Sequence, residues 1–277
     1  MSKITTGQTL SFSEFVMLSD ERPFILVTGA MRSGTTLTGE LLYSRAYREQ
    51  RHPGLCFDND EGTTTRRLVH RATPPGKDLP DATRVAQEII SLAPGSGEPQ
   101  VLGAKVTHVF GGLDLLRRRF PNLTLVVCVR EPAEIYASHL ARTGRTQAEC
   151  LSICKAINAT ERLLEKEAGA IVVRYDHLVT NPKAFILTIL EAVDLKPPEY
   201  DWSSLEAGRV ASNSSFGPGQ GRRFVEGTGI ATFAPDRSLS SVERAIIEAS
   251  CERAYLRHGF TLQTTDQERA CVRGLLP

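Results

Sequence analysis

The chain has 277 residues, with 33 Lys and Arg against 32 Asp and Glu, for a formal net charge of +1 at pH 7. Hydrophobic residues at 41%, charged residues at 23%, 22 Gly and 15 Pro are ordinary globular proportions, which excludes collagen, a coiled coil and wholesale disorder. Without a global excess of positive charge there is no field to gather nucleic acid or an anionic membrane, so neither is an expected partner and any anion site must be local.

No run reaches the roughly 18 apolar residues of a membrane span, and Met1 to Asp20 lacks the charged, apolar, small-residue order of a signal peptide. A cytoplasmic location is the expectation. Cys56, Cys128, Cys150, Cys154, Cys251 and Cys271 form no CxxC pair, and Cys150 and Cys154 stand one helical turn apart, which points to buried thiols rather than metal ligands.

The first predicted element is a strand over Phe24 to Thr28. It is followed directly by Gly29-Ala-Met-Arg32-Ser33-Gly34-Thr35-Thr36 and then by Leu37, Leu41 and Leu42 at helical spacing. This is the GxxxxG spacing of a phosphate-cradling loop in a strand–loop–helix context, where backbone N–H groups and a helix start face an anion. The residue after the second glycine is Thr35, not the Lys of a nucleotide triphosphatase, and the nearby cation is Arg32 instead. Arg48 to Thr83, rich in Gly, Pro, Thr and charge, reads as a long loop.

Val101 to Ala104 is the second predicted strand and runs into Lys105-Val106-Thr107-His108. Leu123 to Val129 is the third. Where a P-loop ATPase often carries an Asp that helps hold magnesium, this strand ends at Arg130, and Glu131-Pro132 opens a helix on which Ser138 follows two turns later. An arginine there is a ligand for an anion, so the ligand is expected to carry a second phosphate and to need no metal. Ala170 to Arg174 is the fourth strand. All four runs are continuously apolar rather than alternating, the pattern of strands buried on both faces.

Asn181-Pro182 offers an N-cap and first-turn proline, with Ile186, Ile189, Leu190 and Val193 on one helical face. Gly208 to Arg237 reads as a second long loop, Ser240 and Glu243 as a capping box, Gly259 as a helix stop, and the polar tail after Phe260 as a segment prone to fray. The β-α-β-α alternation predicts one α/β domain over residues 1–277, with a mainly parallel central sheet and helices on both faces. Its ligand sits beyond the carboxyl ends of the strands, and residues 1–20 and 261–277 are peripheral.

At this point the chain resembles the sulfotransferases that use 3′-phosphoadenosine 5′-phosphosulfate (PAPS). Their 5′-phosphosulfate loop is similar to Arg32-Ser-Gly-Thr-Thr-Leu37, and their 3′-phosphate motif, an Arg with a Ser eight residues on, is similar to Arg130 through Ser138. Arg174-Tyr175-Asp176-His177-Leu178 resembles their Tyr-Glu-Asp-Leu segment, so the resemblance covers roughly Pro23 to Val193. It implies that Arg32, Ser33, Gly34, Thr35 and Thr36 hold the 5′-phosphosulfate, that Arg130 and Ser138 hold the 3′-phosphate, and that Tyr175 approaches the adenine. Ser214-Ser215-Phe216 is similar to an adenine-contacting Thr-Ser-Phe segment, which brings in Ser215 and Phe216. Arg222-Arg223 resembles a late Arg-Lys-Gly clamp, which is itself missing from this chain.

Lys105 to His108 resembles the Lys-Thr-His segment that supplies the general base in cytosolic members, and so places Lys105 and His108, with Arg32, among the catalytic residues. An imidazole of pKa about 6.5 suits removal of a proton from an attacking hydroxyl. The carboxylates Asp58, Asp60 and Glu61 are rivals for that role. The implied function is transfer of a sulfuryl group from PAPS to a hydroxyl or amine of a small-molecule acceptor, leaving 3′-phosphoadenosine 5′-phosphate (PAP). A P-loop kinase and a catalytically silent nucleotide-binding module are the alternatives.

Overall fold

The computed structural model describes residues 19–44, 48–59, 65–66, 81–92, 98–107, 112–143, 147–206, 210–211, 222–225, 228, 230–233 and 239–274. Among these, β1 spans Phe24–Gly29, α1 Thr35–Glu40, β2 Tyr43–Ser44, β3 Glu49–Gln50, β4 Leu55–Asp58, α2 Ala82–Leu92, β5 Val101–Lys105, α3 Leu113–Arg119, β6 Leu123–Val129, α4 Pro132–Thr143, α5 Gln147–Lys166, β7 Ile171–Arg174, α6 Tyr175–Thr180 and α7 Pro182–Ala192. The later elements are α8 Ser203–Glu206, β8 Val210–Ala211, β9 Arg222–Val225, β10 Ile230–Phe233, α9 Ser241–Ser250, α10 Glu252–His258 and α11 Asp266–Arg273.

The central sheet has the order β4-β5-β1-β6-β7, and every pairing in it is parallel. All six residues of β1 are buried, because the strand lies between two neighbours and carries helices on both faces. Full burial of side chains such as Phe24, Ile25 and Leu26 is worth about 1.5–3 kcal/mol each before the cost of chain entropy. Helices do cover both faces. Thr38 of α1 touches Cys128, which shares a face with Phe57 through the register Cys128–Gly29 and Gly103–Phe57; Cys56 points the other way and donates to Ile89 O of α2. The chain leaves β1 toward β4 and leaves β6 toward β7, so connections diverge between neighbouring strands β1 and β6. That is the topological switch point, where α/β sheets open a crevice.

The local signals in the sequence act as their chemistry dictates. Asn181 accepts from Ala184 N at 3.2 Å with Pro182 in the first turn of α7, and Ile186, Ile189 and Leu190 face the core. Ser240 and Glu243 form the reciprocal capping box of α9, and Gly259 ends α10.

Three stretches depart from the sequence reading. The first long loop contains β2's partner β3 and the sheet-edge strand β4, whose four apolar or short residues are buried because β5 and α2 cover them. The second contains β8, β9 and β10, which form a separate small sheet. The polar tail forms α11, started by a capping box of Thr265 and Glu268 and packed against α9, with Arg269 buried beside the Glu248 carboxylate at 3.6 Å. Of the five cysteines described, Cys271 is exposed and the other four are buried. No helix among the described residues is long and apolar enough to cross a membrane.

Candidate active site

The carboxyl edge of the sheet carries, strand by strand, Asp58, Lys105, the loop after β1, Arg130 and Arg174. The loop is shaped by its own backbone. Ser33 donates both its N–H, at 3.2 Å, and its hydroxyl, at 2.7 Å, to Ala30 O. Ser33 is buried in this turn. Its neighbours pay in backbone geometry: Arg32 has φ 70 and Gly34 φ 107, both in the left-handed region, the kind of strain that functional loops store. At Gly34 a side chain is also barred by space, since a Cβ would stand 2.7 Å from Cδ2 of Tyr175.

Gly34 is the N-cap of α1 and no side chain among the described residues caps it, so the first N–H groups of the helix remain available. Thr35 is buried and Thr36 partly exposed at that first turn. The left-handed turn at Arg32 carries its guanidinium to α4, where Nε and Nη2 donate to Ser138 Oγ at 3.2 and 3.1 Å. Ser138 is buried and joins the loop to the helix that follows β6. Ser138, which the resemblance assigns to the 3′-phosphate together with Arg130, is in contact with Arg32.

Arg130 lies with its guanidinium 4.1 Å from the centroid of the Tyr175 ring, a cation–π stack, and donates through Nε to Glu134 at 2.8 Å. Tyr175 thus sits between the bare backbone of Gly34 and the Arg130 guanidinium, tying the loop to the ends of β6 and β7. Glu131 accepts from Arg244 at 3.4 Å and from Tyr255 OH at 3.3 Å. Burial and the neighbouring Glu134 push its carboxyl up, against the pull of Arg244 and Tyr255.

Lys105 is buried at the end of β5, opposite Val27 of β1 and on the α1 face of the sheet. Its positive charge works against the burial that pushes the Cys128 thiol up to about 12. Asp58 is also buried, but alternation along β4 turns it to the face of Cys56 and α2, so it does not share a face with Lys105. His108, Asp60, Glu61, Ser214, Ser215 and Phe216 lie outside the described residues. Arg222 and Arg223, read from sequence as part of a Gly-rich loop, are the first residues of β9, paired with Phe233 and Thr232.

The sequence motifs pass over Arg174 and Phe260. Arg174 ends β7 as Arg130 follows β6, and its guanidinium lies 4.7 Å from the centroid of the Phe260 ring. The signal that singles out Arg130, a cation directly at a strand's carboxyl end, is present at Arg174 too. Phe260 has no such signal because its partner comes from a distant strand. Among the described residues no group of three or more His, Cys, Asp or Glu is placed to hold a metal ion.

A parallel sheet with a glycine-bounded loop at its switch point, and a guanidinium directly after β6, defines an α/β protein whose carboxyl edge is lined by cations. Residues 23–199 match the sequence family described as the sulfotransferase family. The chain belongs to that family. Its fold is similar to that of the sulfotransferase domain of the olefin synthase from Synechococcus PCC 7002, with TM-score 0.53 and 15% identity over 88% of this chain and 97% of that one. Weaker likenesses are a sulfotransferase from Mycobacterium avium, with TM-score 0.37 and 16% identity over 67% of each chain, and retinol dehydratase solved with androsterone and PAP, with TM-score 0.39 and 13% identity over 90% of this chain and 83% of that one. A comparison with curated proteins finds no match.

Proposed function

We propose that this sulfotransferase takes its sulfuryl group from PAPS and passes it to a hydroxyl or amine of a small-molecule acceptor. The observation that carries the reading is the Arg32–Ser138 contact across the switch point, with Arg130 in the position after β6. The donor set fits a phosphosulfate anhydride with a second phosphate: uncapped N–H groups at the start of α1, the hydroxyls of Thr35 and Thr36, and two guanidiniums from separate elements. Gly34 is needed by its left-handed φ and by the Tyr175 ring, which occupies the space a Cβ would take. Family membership does not favour the kinase alternative.

When bound, PAPS supplies an activated sulfuryl group on a good leaving group. Arg32, held by Ser138, would supply positive charge to the leaving phosphate without reorganising. The α1 N–H groups and the hydroxyls of Thr35 and Thr36 orient the reacting end. Buried Lys105 adds positive charge beneath the loop. Arg130 and Tyr175 hold the nucleoside side, with Tyr175 fixing the spacing between the Arg130 stack and Gly34. His108, three residues beyond the end of β5, takes the acceptor's proton in this reading, with Asp58, Asp60 and Glu61 as its rivals.

The test is turnover on a panel of phenols, alcohols and amines with PAPS, read by mass spectrometry. Appearance of a sulfated product and of PAP in equal amounts is the expected result. PAP binding with no product on any acceptor indicates a silent nucleotide-binding module, and phosphorylated product from ATP overturns the reading.

A further inference from the structure

Val129 of β6 and Arg174 of β7 are register partners, so Arg130 and Arg174 stand at the carboxyl ends of neighbouring strands. Each guanidinium is laid on an aromatic ring: Arg130 on Tyr175 at 4.1 Å and Arg174 on Phe260 at 4.7 Å. Each is also held by one carboxylate close in sequence. Arg130 donates to Glu134 at 2.8 Å, and Arg174 donates to Asp176 through Nε at 3.1 Å and Nη2 at 2.6 Å. The arginine side chains are 10% and 25% exposed, whereas Glu134 and Asp176 are 50% and 54% exposed. Both arginines line one cavity of about 290 Å³, which Gly259, Thr261 and Gln263 also line.

This arrangement is suited to a tetrahedral dianion. Stacking fixes the plane of a guanidinium while leaving its N–H edge to make contacts, and the fork that Arg174 presents to Asp176 is the geometry that phosphate also takes. Ion pairs with half-exposed carboxylates contribute little to stability, so exchange for a dianion carries a small cost. Glu131, the third carboxylate of the cavity, is engaged by Arg244 and Tyr255, which leaves Glu134 and Asp176 as the counter-ions of the two arginines. At about 290 Å³ the cavity falls just below the roughly 300–1,000 Å³ of whole-ligand sites, a size that suits one charged group of a larger ligand.

Resting on the PAPS reading above, we propose that Arg174 is the second guanidinium gripping the 3′-phosphate beside Arg130, and that the phosphate displaces Glu134 and Asp176. The segment after α10 lines this subsite through Gly259, Phe260, Thr261 and Gln263.

The test is titration calorimetry on the full chain at fixed ionic strength, with PAP and adenosine 5′-phosphate as ligands. Arg174→Gln should weaken PAP by about 10- to 100-fold, the loss of a charge-assisted contact, and leave adenosine 5′-phosphate within about twofold. Asp176→Asn should tighten PAP several-fold, because it removes the competitor for Arg174. Equal losses for both ligands in Arg174→Gln overturn the proposal, as does unchanged or weaker PAP binding in Asp176→Asn. Since Arg174 also donates to His258 O, Arg174→Gln can compromise folding; in that case Asp176→Asn decides alone. Failure of the wild-type protein to prefer PAP over adenosine 5′-phosphate overturns the PAPS reading itself. A wild-type preference that survives in both variants overturns only the role of Arg174.

Discussion

Tyr175 lies so close to Gly34 that a Cβ on the glycine would stand 2.7 Å from Cδ2 of the ring. The same ring carries the Arg130 guanidinium, at 4.1 Å from its centroid. One aromatic side chain therefore sets the distance between the loop after β1 and the cation after β6.

Gly34→Ala is expected to lose both conformation and space. The left-handed φ costs a non-glycine residue about 1–2 kcal/mol, and the clash with Tyr175 adds to it. Thermal unfolding should drop by several degrees, and PAP affinity should fall more than stability does. The double variant with Tyr175→Ala should recover the space but not the backbone cost. Full recovery of the melting temperature in that double variant contradicts the backbone account.

Ser138→Ala removes the acceptor of both Arg32 donors. The expected loss is about 0.5–1.5 kcal/mol of stability, the net worth of a typical hydrogen bond. Turnover should fall further than PAP affinity, since Arg32 would remain near the ligand but lose the hydroxyl that aligns its Nε and Nη2. Wild-type turnover in Ser138→Ala would show that Arg32 does not depend on Ser138.

PAP should raise the unfolding temperature in the presence of EDTA. Ligand at a hundredfold excess over its dissociation constant adds about 2.7 kcal/mol of apparent stability. A shift that needs ATP and magnesium, with none from PAP, would reject the anion reading of Arg130.

Burial pushes the Cys56 thiol up to about 11 and the Cys128 thiol up to about 12, from an ordinary value of 9.0. The folded state keeps these protons while the unfolded chain releases them, so the stabilising contribution is complete below pH 9 and declines from there toward pH 11–12. Each thiol contributes a slope of at most about 1.4 kcal/mol per pH unit. Denaturant midpoints between pH 8 and 10.5 should fall accordingly, and Cys128→Ala should flatten the fall. In native protein at pH 8, iodoacetamide mapping should find Cys271 modified while Cys56 and Cys128 are protected; reaction at Cys128 before Cys271 would contradict its burial.

How much of this was legible in advance depended on the range of the interaction concerned. Leu123 to Val129 is continuously apolar and forms β6 with those bounds, and the capping residues Asn181, Ser240 and Glu243 act within one helical turn. Arg130 stood out because it directly follows a recognisable strand, and Arg32 because it lies inside the glycine-bounded loop. Leu55 to Asp58 did not read as a strand: four residues flanked by Gly, Pro and charge carry too little periodicity, and β5 and α2 supply the burial that makes them one.

The sequence by itself determined the phosphate-loop spacing, the four apolar strands and the cations that end three of them, because those depend on residues adjacent in the chain. Only the tertiary structure decided that Ser138 meets Arg32, that Tyr175 separates Gly34 from Arg130, and that Arg174 stacks on Phe260. It also made a capped, packed helix of a tail too polar to announce one. These pairings join residues far apart in the chain, and their geometry is set by strand order and register, which no local pattern of residues encodes.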